Sequence, residues 1–492
     1  MKNPIAILLV FVFISPMSLF SQTTIPGGDV SGTWLKENSP YLVTGNIVVP
    51  QDSTLIIEPG VFVMFQQSRK ITIEGTIKAK GTVNDSIYFT NDNSKESGSI
   101  KKGKGEWRGI EFLGNSSEDT SMFYYCRMEY SESVSSSSSH YGYGGLFYIG
   151  ASDNIHIKHC DISNNTAVYG GAFFISTSEN IVISENYIHD NSASDRGAGF
   201  YLHSSCTINR NLIANNISHW GGGFYVADYS PKIINNLICN NIADVGAGFF
   251  IFDAYFAPGY DYIANNTIAN NIANDYAPAI LLADSYIIFI NCIIYNNSSP
   301  ENDHQIFLQW GAETSFHYCD IQGGIEGIKT DTGEPFEGTY ENNIDSDPWF
   351  LWGTNDKYAL QKGSPCINAG TPDTTGLLMP EYDFAGNLRI NGDTIDMGAY
   401  EYQFTVSIED IDNISFIRIF PNPTSGQLWI KNSSNGEDFI SVEIFNSLGK
   451  KLLEFETSED LTQVDLSKKP KGVYLIRIKS SLEIFCEKII VQ

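Results

Sequence analysis

Between Cys160 and Asn297 the chain writes nearly the same segment five times, with a period near 25 residues. Each copy runs through a short apolar stretch, an Asn or Cys, an Ile two residues later, an Asn, and a pair of small residues leading into Phe. The anchoring residues are Ile162, Ile188, Ile213, Ile238, Ile268 and Ile294, in steps of 26, 25, 25, 30 and 26 residues. The small-residue anchor reads Gly170-Gly171-Ala172-Phe173, Gly197-Ala198-Gly199-Phe200, Gly221-Gly222-Gly223-Phe224 and Gly246-Ala247-Gly248-Phe249. It degenerates to Ala277-Pro278-Ala279-Ile280. Short β-type apolar runs at this period, without helical spacing, mark a solenoid. One coil cannot bury its own apolar face, so each must be covered by its neighbours. The expectation is an all-β, right-handed parallel β-helix of roughly twelve coils over residues 40 to 345, a rod of about 55 Å at the strand spacing of a sheet.

One column carries the stacking argument. Two residues before each anchor stand Cys160, Asn186, Asn211, Asn236, Asn266 and Cys292, and the same spacing before Met128 and Ile321 adds Cys126 and Cys319. Asn amides piled at about 4.8 Å bond up and down the stack as a ladder. Cys is a small hydrophobe that fits where the ladder stops. Adjacent-coil cysteines would hold their side chains parallel, a poor approach for a disulfide torsion, so free core thiols are expected.

Composition bounds the partners. With 30 Lys and Arg against 57 Asp and Glu, the net charge is −27. That excludes nucleic acid, whose binding needs cations to displace counterions, and it opposes unaided binding of polyanionic glycans. Residues 1–21 read as a signal peptide: Lys2, an apolar core from Ile5 to Ile14, then Leu19-Phe20-Ser21 before Gln22. No later apolar run is long enough for a transmembrane segment.

The mature chain opens on short β-branched runs, Ile47-Val48-Val49, Thr54-Leu55-Ile56-Ile57, Ile71-Thr72-Ile73 and Ile87-Tyr88-Phe89, divided by Gly, Pro and Asp turns. From Gly45 to Thr90, and again at Trp107-Arg108-Gly109-Ile110, this stretch resembles the first coils of secreted bacterial β-helix proteins. The central repeat is similar to those of polymorphic outer-membrane adhesins. Beyond about residue 345 the period fails. Ser364-Pro365-Cys366-Ile367-Asn368-Ala369-Gly370 and Ile395-Asp396-Met397-Gly398-Ala399-Tyr400 resemble the closing cap of such helices, expected over the exposed strand edges of the last coil. Asp383, Asp393 and Asp396 are weak Ca²⁺ candidates on this cap, although Asp in turns is ordinary. No cofactor motif is present.

After a polar linker over 404–415, residues 416–492 form a small module of short alternating strands, sized for a β-sandwich that folds alone. Phe420-Pro421-Asn422-Pro423-Thr424-Ser425-Gly426, the Gly449-Lys450 turn, Gly472-Val473-Tyr474 and the closing Lys488-Ile489-Ile490-Val491 carry its resemblance to the type A C-terminal sorting domain of the type IX (Por) secretion system. The resemblance implies export through the periplasm of a Gram-negative bacterium, with the type IX machinery as partner. The product is then secreted or held on the outer-membrane surface, and 22–403 is its β-helical body.

What the body does must be sought on its outer face. The residues before each small-residue pair are Tyr169, Arg196, Trp220, Val245 and Tyr276, and the next ones back are Val168, Asp195, His219, Asp244 and Asp275. In register these form two neighbouring columns. Aromatic faces stack on sugar rings and carboxylates bond hydroxyls, which points to an extended glycan, or a host or biofilm surface, as ligand. The bland alternative is a variable corner that happens to hold Tyr and Trp. A polysaccharide lyase would need a base such as Lys158, Arg210 or Arg196. A glycoside hydrolase would need a carboxylate pair, with Asp195, Asp244 and Asp275 as candidates. His156, His159 and His189 lack metal spacing, and the column His159, Glu185, Arg210, Asn235 reads as a solvated face. Three readings stay open: a binding or adhesion module, a carbohydrate-active enzyme, and a structural surface component.

Overall fold

In the computed structural model the described residues are 22–92, 107–114, 118–133, 142–229, 231–254, 262–300, 304–351, 356–377, 379–392, 394–403, 417–432, 440–447, 449–479 and 484–492. Residues 1–21, expected to be a signal peptide, residues 404–415, expected to be a linker, and Asp393 lie outside them. The chain divides into two compact units, Met1–Gln403 and Phe404–Gln492.

The first unit is a parallel β-helix of three sheets with twelve strands each, visited in turn by every coil. All three expected features are there: parallel pairing, anchor Ile over anchor Ile, and apolar side chains alternating inward. Ile162, Ile188, Ile213, Ile238, Ile268 and Ile294 pair in exact succession and are fully buried. In the second sheet Phe147, Phe173, Phe200, Phe224 and Phe249 form an inner ring stack with centroids 4.7 to 5.1 Å apart. Within the 22–403 body the first coil comes before residue 40, where the coil count was expected to begin. Thr23–Ile25, Gly28–Asp29 and Gly32–Trp34 already make a coil that pairs with the next, although its Gly, Asp and Thr residues gave no apolar run to detect.

The small-residue anchors have a steric cause. Gly170, Gly197, Gly221 and Gly246 turn with φ of 65 to 70°, left-handed backbone that Gly adopts without penalty. At Gly199 a Cβ would sit 2.5 Å from the Gly223 carbonyl oxygen of the next coil. Ala277 occupies the same corner with φ 55°, where a Cβ is tolerated at a cost.

The expected Asn ladder is present. Asn186, Asn211, Asn236 and Asn266 each donate Nδ2 to a carbonyl one coil back, and successive amides bond at 2.9 to 3.1 Å. The cysteines extend it: Cys160 Sγ donates to the Phe123 and Lys158 carbonyls, and accepts from the Cys126 N–H. Cys292 and Cys319 repeat the arrangement at the other end. All eight cysteines are free, seven of them buried. A second ladder runs beside the first through Asn165, Asn191, Asn216, Asn241, Asn271 and Asn297. Ser131 closes one end of it and Gln305 the other. The sequence shows this Asn three residues after each anchor, but its inward orientation follows from the corner geometry.

The cap lies elsewhere than expected. Its first residues do reach the last coil, where Asp345 accepts the Gly323 N–H and Ser346 donates to Asp320, but most of it packs along the side of the body: Phe350, Tyr358, Leu360, Cys366, Met397, Ala399 and Tyr400 cover Ala214, Leu237, Cys239, Ala269 and Ile293. The cause is legible on the outer face of the first sheet. It changes from Asp161, Tyr187 and His189 to Leu212, Leu237, Cys239 and Ile293, and the apolar half needs a cover. Gly398 donates its N–H to the Asn291 carbonyl, and Asn265 Nδ2 bonds the Asp396 and Gly398 carbonyls. The column His159, Glu185, Arg210, Asn235 is therefore not a solvated face throughout. His159 and Glu185 pair at 3.4 Å near solvent, whereas Asn235 is fully buried and Arg210 lies against the Tyr382 ring.

This strap buries charge. Arg389 is 2% exposed, with Nη1 3.4 Å from Glu401 and Nη2 donating to the Asp396 and Gly398 carbonyls. Burial raises Asp396 and Asp320 to about 6 and Glu401 to about 7. Their folded pKa values exceed the ordinary carboxylate range, so the folded state binds protons more tightly. That stabilisation is fully present below pH ~4 and is lost as pH rises through about 6 to 7. Hydrogen exchange should find the strap amides better protected at pH 5 than at pH 8. Stronger protection at pH 8 would show that the ion pair with Arg389 outweighs burial.

The second unit holds a three-stranded and a four-stranded antiparallel sheet, with Leu428, Ile430, Val442, Ile444, Ile476, Ile478 and Ile489 in its core. That is the small sandwich expected. Glu443 is held by Lys451 and Arg477, each at 2.6 Å. Their hydrogen bonds hold its carboxyl down at about 2.

Candidate functional site

The corner between the first and second sheets carries both sequence-derived columns. Tyr169 pairs with Arg196, Arg196 with Trp220, Trp220 with Val245, and Val245 with Tyr276. The register shifts beside Tyr169 and Val245, because Ser192–Arg196 and Ile272–Tyr276 run one residue longer than the strands they meet. A bulge of this kind re-aims side chains at a rim.

The polar column is joined by short hydrogen bonds. His219 Nδ1 lies 2.6 Å from Asp244 Oδ2, and Asn274 Nδ2 donates to Asp244 Oδ1 at 2.8 Å. The Asn274 and His219 hydrogen bonds hold Asp244 below its usual carboxylate value. Asp195 stands 3.7 Å from Arg196 and accepts from the Tyr169 hydroxyl, which raises that phenol. His219 and Asp275 are exposed, and Asp195 and Asp244 half-exposed.

The aromatic column behaves differently from the expectation. The sequence offers Trp220 as a platform for a sugar ring, but in the fold both faces of its indole are taken. Phe250 stacks on it at 5.2 Å and 6°, and the Arg196 guanidinium sits 4.9 Å from its ring centre. Arg196 also lies over Tyr169 and Tyr225, with Nη1 donating to the Tyr225 hydroxyl at 3.3 Å. The cause is a second ring row, Tyr148, Phe174, Tyr201, Tyr225 and Phe250, stacked at 4.8 to 5.5 Å on the outer face of the second sheet. Its signal was the second aromatic after each small-residue pair, as in Phe173-Phe174 and Phe249-Phe250. Tyr276 joins the same apolar cluster.

The three candidate lyase bases do not converge. Lys158 ends a strand of the third sheet. Arg210 stands at the corner before the first sheet with φ 54°, 3.4 Å from Glu185. Arg196 is clamped among rings. His189 is held between Asp161 and Asp190 at 2.9 and 2.7 Å, and His156 points outward from the third sheet. On the strap, Asp383 accepts the Asn387 and Glu401 N–H groups and Asp396 those of Asn368 and Tyr402. Both carboxylates thus pin backbone. Among the described residues no group of three or more His, Cys, Asp or Glu is placed to hold a metal ion, and no helix is long and apolar enough to cross a membrane.

Comparison with known families divides the chain as its structure does. Residues 418–492 match the secretion system C-terminal sorting domain. Residues 113–325, under half of the chain and all within the β-helix, match the periplasmic copper-binding protein family NosD. No curated protein matches. The copper in that family's name does not fit the described residues, which offer no three-ligand group. The solenoid and the matched tail together make this a secreted or cell-surface parallel β-helix protein whose C-terminal sorting domain implies the type IX secretion machinery.

Proposed function

We propose that the body is a binding or adhesion module that takes an extended neutral glycan along the corner of the helix. The observation behind this is the row of hydrogen-bonding groups at coil spacing, Asp195, His219, Asp244 and Asp275, lying beside a rigid wall of stacked rings. A row repeating every ~4.8 Å matches an extended chain of sugar units, and a stack already held by backbone pairing costs little ordering on binding. Charge of −27 disfavours uronates and sulfated glycans, so neutral chains are the expected class. A glycan array with the mature body tests binding.

The informative variants are the exposed polar residues. His219→Ala combined with Asp275→Ala should weaken binding roughly tenfold or more, the scale of a few net hydrogen bonds, with an unchanged melt. Trp220→Ala should lower the melting temperature as well, since it removes the ring between Arg196 and Phe250. Undiminished binding in the His219 and Asp275 variant would remove this corner from consideration. The lyase and hydrolase alternatives are tested by assaying a polysaccharide panel for unsaturated or reducing ends, with and without Ca²⁺.

A further inference from the structure

Away from that corner, at the last two coils, a groove of about 660 Å³ opens between the end of the second sheet, the start of the third, and the 331–338 connection. Its volume lies inside the range of about 300 to 1,000 Å³ typical of ligand sites. Leu308, Thr314 and Ser315 line it as buried residues. Tyr286 lines it as well, in register with Glu313. The connection is anchored: Phe336 meets Phe316 edge-on in the core at 6.0 Å, and Thr330 Oγ1 donates to the Glu334 carbonyl at 2.6 Å. The groove is thus part of the folded end of the helix.

Tyr286 lines the groove, and Trp310 stands outside the lining at its rim; neither ring is stacked between two partners as Trp220 is. Trp310, next to the lining residue Gly311, is 63% exposed, the most of any described aromatic residue. Among the described residues its one ring contact is edge-to-face with Phe252 at 6.0 Å, and its backbone N–H is fixed by Asp331 Oδ2 at 2.9 Å. Tyr286 is 40% exposed. Single exposed rings are ordinary on a protein surface; here they adjoin a concave polar groove, the setting in which a ring can meet a ligand face. The charged lining residues are Glu313, Asp331, Glu334 and Glu337, with no lysine or arginine among them.

From these features we infer a second ligand site, in which the groove binds a neutral oligosaccharide, with Trp310 and Tyr286 meeting sugar faces and the carboxylates and threonine hydroxyls bonding sugar hydroxyls. Carboxylates without cations reject uronates, sulfated sugars and phosphates by repulsion, and accept hydroxyl donors. Aromatic rings supply the apolar contact that a sugar face needs. The inference shares only its ligand class with the corner proposed above, and the two sites use different residues.

The test is calorimetric titration of the secreted protein with neutral hexaoses of glucose, mannose and xylose, and with oligogalacturonate, CaCl₂ and spermidine as separate probes. The expected result is a neutral-oligosaccharide binding component that Trp310→Ala weakens at least tenfold with an unchanged melt, and that persists in His219→Ala, which removes only the corner's component. Glu334→Lys, an exposed rim change that touches no core residue, should weaken the same binding and guards against misfolding of the Trp310 variant. Neutral-sugar binding lost in His219→Ala and kept in Trp310→Ala would overturn the groove and leave the corner standing. Binding of Ca²⁺ or spermidine alone at the groove would make it a cation site, and no binding of any neutral sugar would overturn both.

Discussion

Removing residues 417–492 is expected to abolish release from the cell and leave a folded β-helix in the periplasm. The tail folds around its own core, Leu428, Ile430, Val442, Ile444, Ile476, Ile478 and Ile489, and that core contains no residue of the body's stack. The body's inner Phe and Ile columns close on themselves in the same way. Loss of the tail therefore removes the sorting information without removing core packing, as expected for units that bury their apolar residues separately. Fractionation into periplasm, surface and medium, with protease protection of the retained body, reads the result. A truncated body that reaches the medium through an intact outer membrane would sink the assignment. A retained body that is degraded instead of protected would show that the tail also supports folding.

Replacing Asn211 by Leu should be among the most destabilising single changes in the body, and Asn211→Cys should be milder. The Asn211 Oδ1 accepts from both the backbone N–H and the amide of Asn186, at 3.0 and 2.9 Å. Its Nδ2 donates to the Ile183 and Asn209 carbonyls and to Asn236 Oδ1. Leu leaves these groups unpaired in a dry interior, at roughly 1–3 kcal/mol for each one that finds no other partner. Cys keeps part of the pattern, because Cys160 in the same column accepts a backbone N–H and donates to two carbonyls. Thermal melts of the two variants decide the point. Equal melts would mean that girth, and not hydrogen bonding, is what the column selects.

The polar ladders also explain why so regular a stack keeps one register. A slip of one residue in a parallel coil would turn every anchor Ile outward and break two amide ladders at once. The ring columns add a third constraint of the same period.

Periodicity alone determined the most about this protein. The anchor Ile residues, the Asn and Cys column and the small-residue corners each recur with the coil, so a one-dimensional reading recovered parallel pairing, the inner stack and the first ladder. The tail was equally legible because its turns and strands are local. What tertiary structure decided was the fate of side chains at the corners and on the outer faces. Trp220 looks available in sequence, but Arg196 and Phe250 come from the coils on either side and close both of its faces. The strap's position depends on apolar residues spread over four coils, Leu212 to Ile293, whose shared surface exists only after stacking. Tyr286 belongs to the repeat while Trp310 and the 331–338 connection follow it, so the groove becomes visible only when the last coils are in place. Inward positions answer to a period because every coil must satisfy the same core. Outward positions answer to whichever neighbour the fold brings over them.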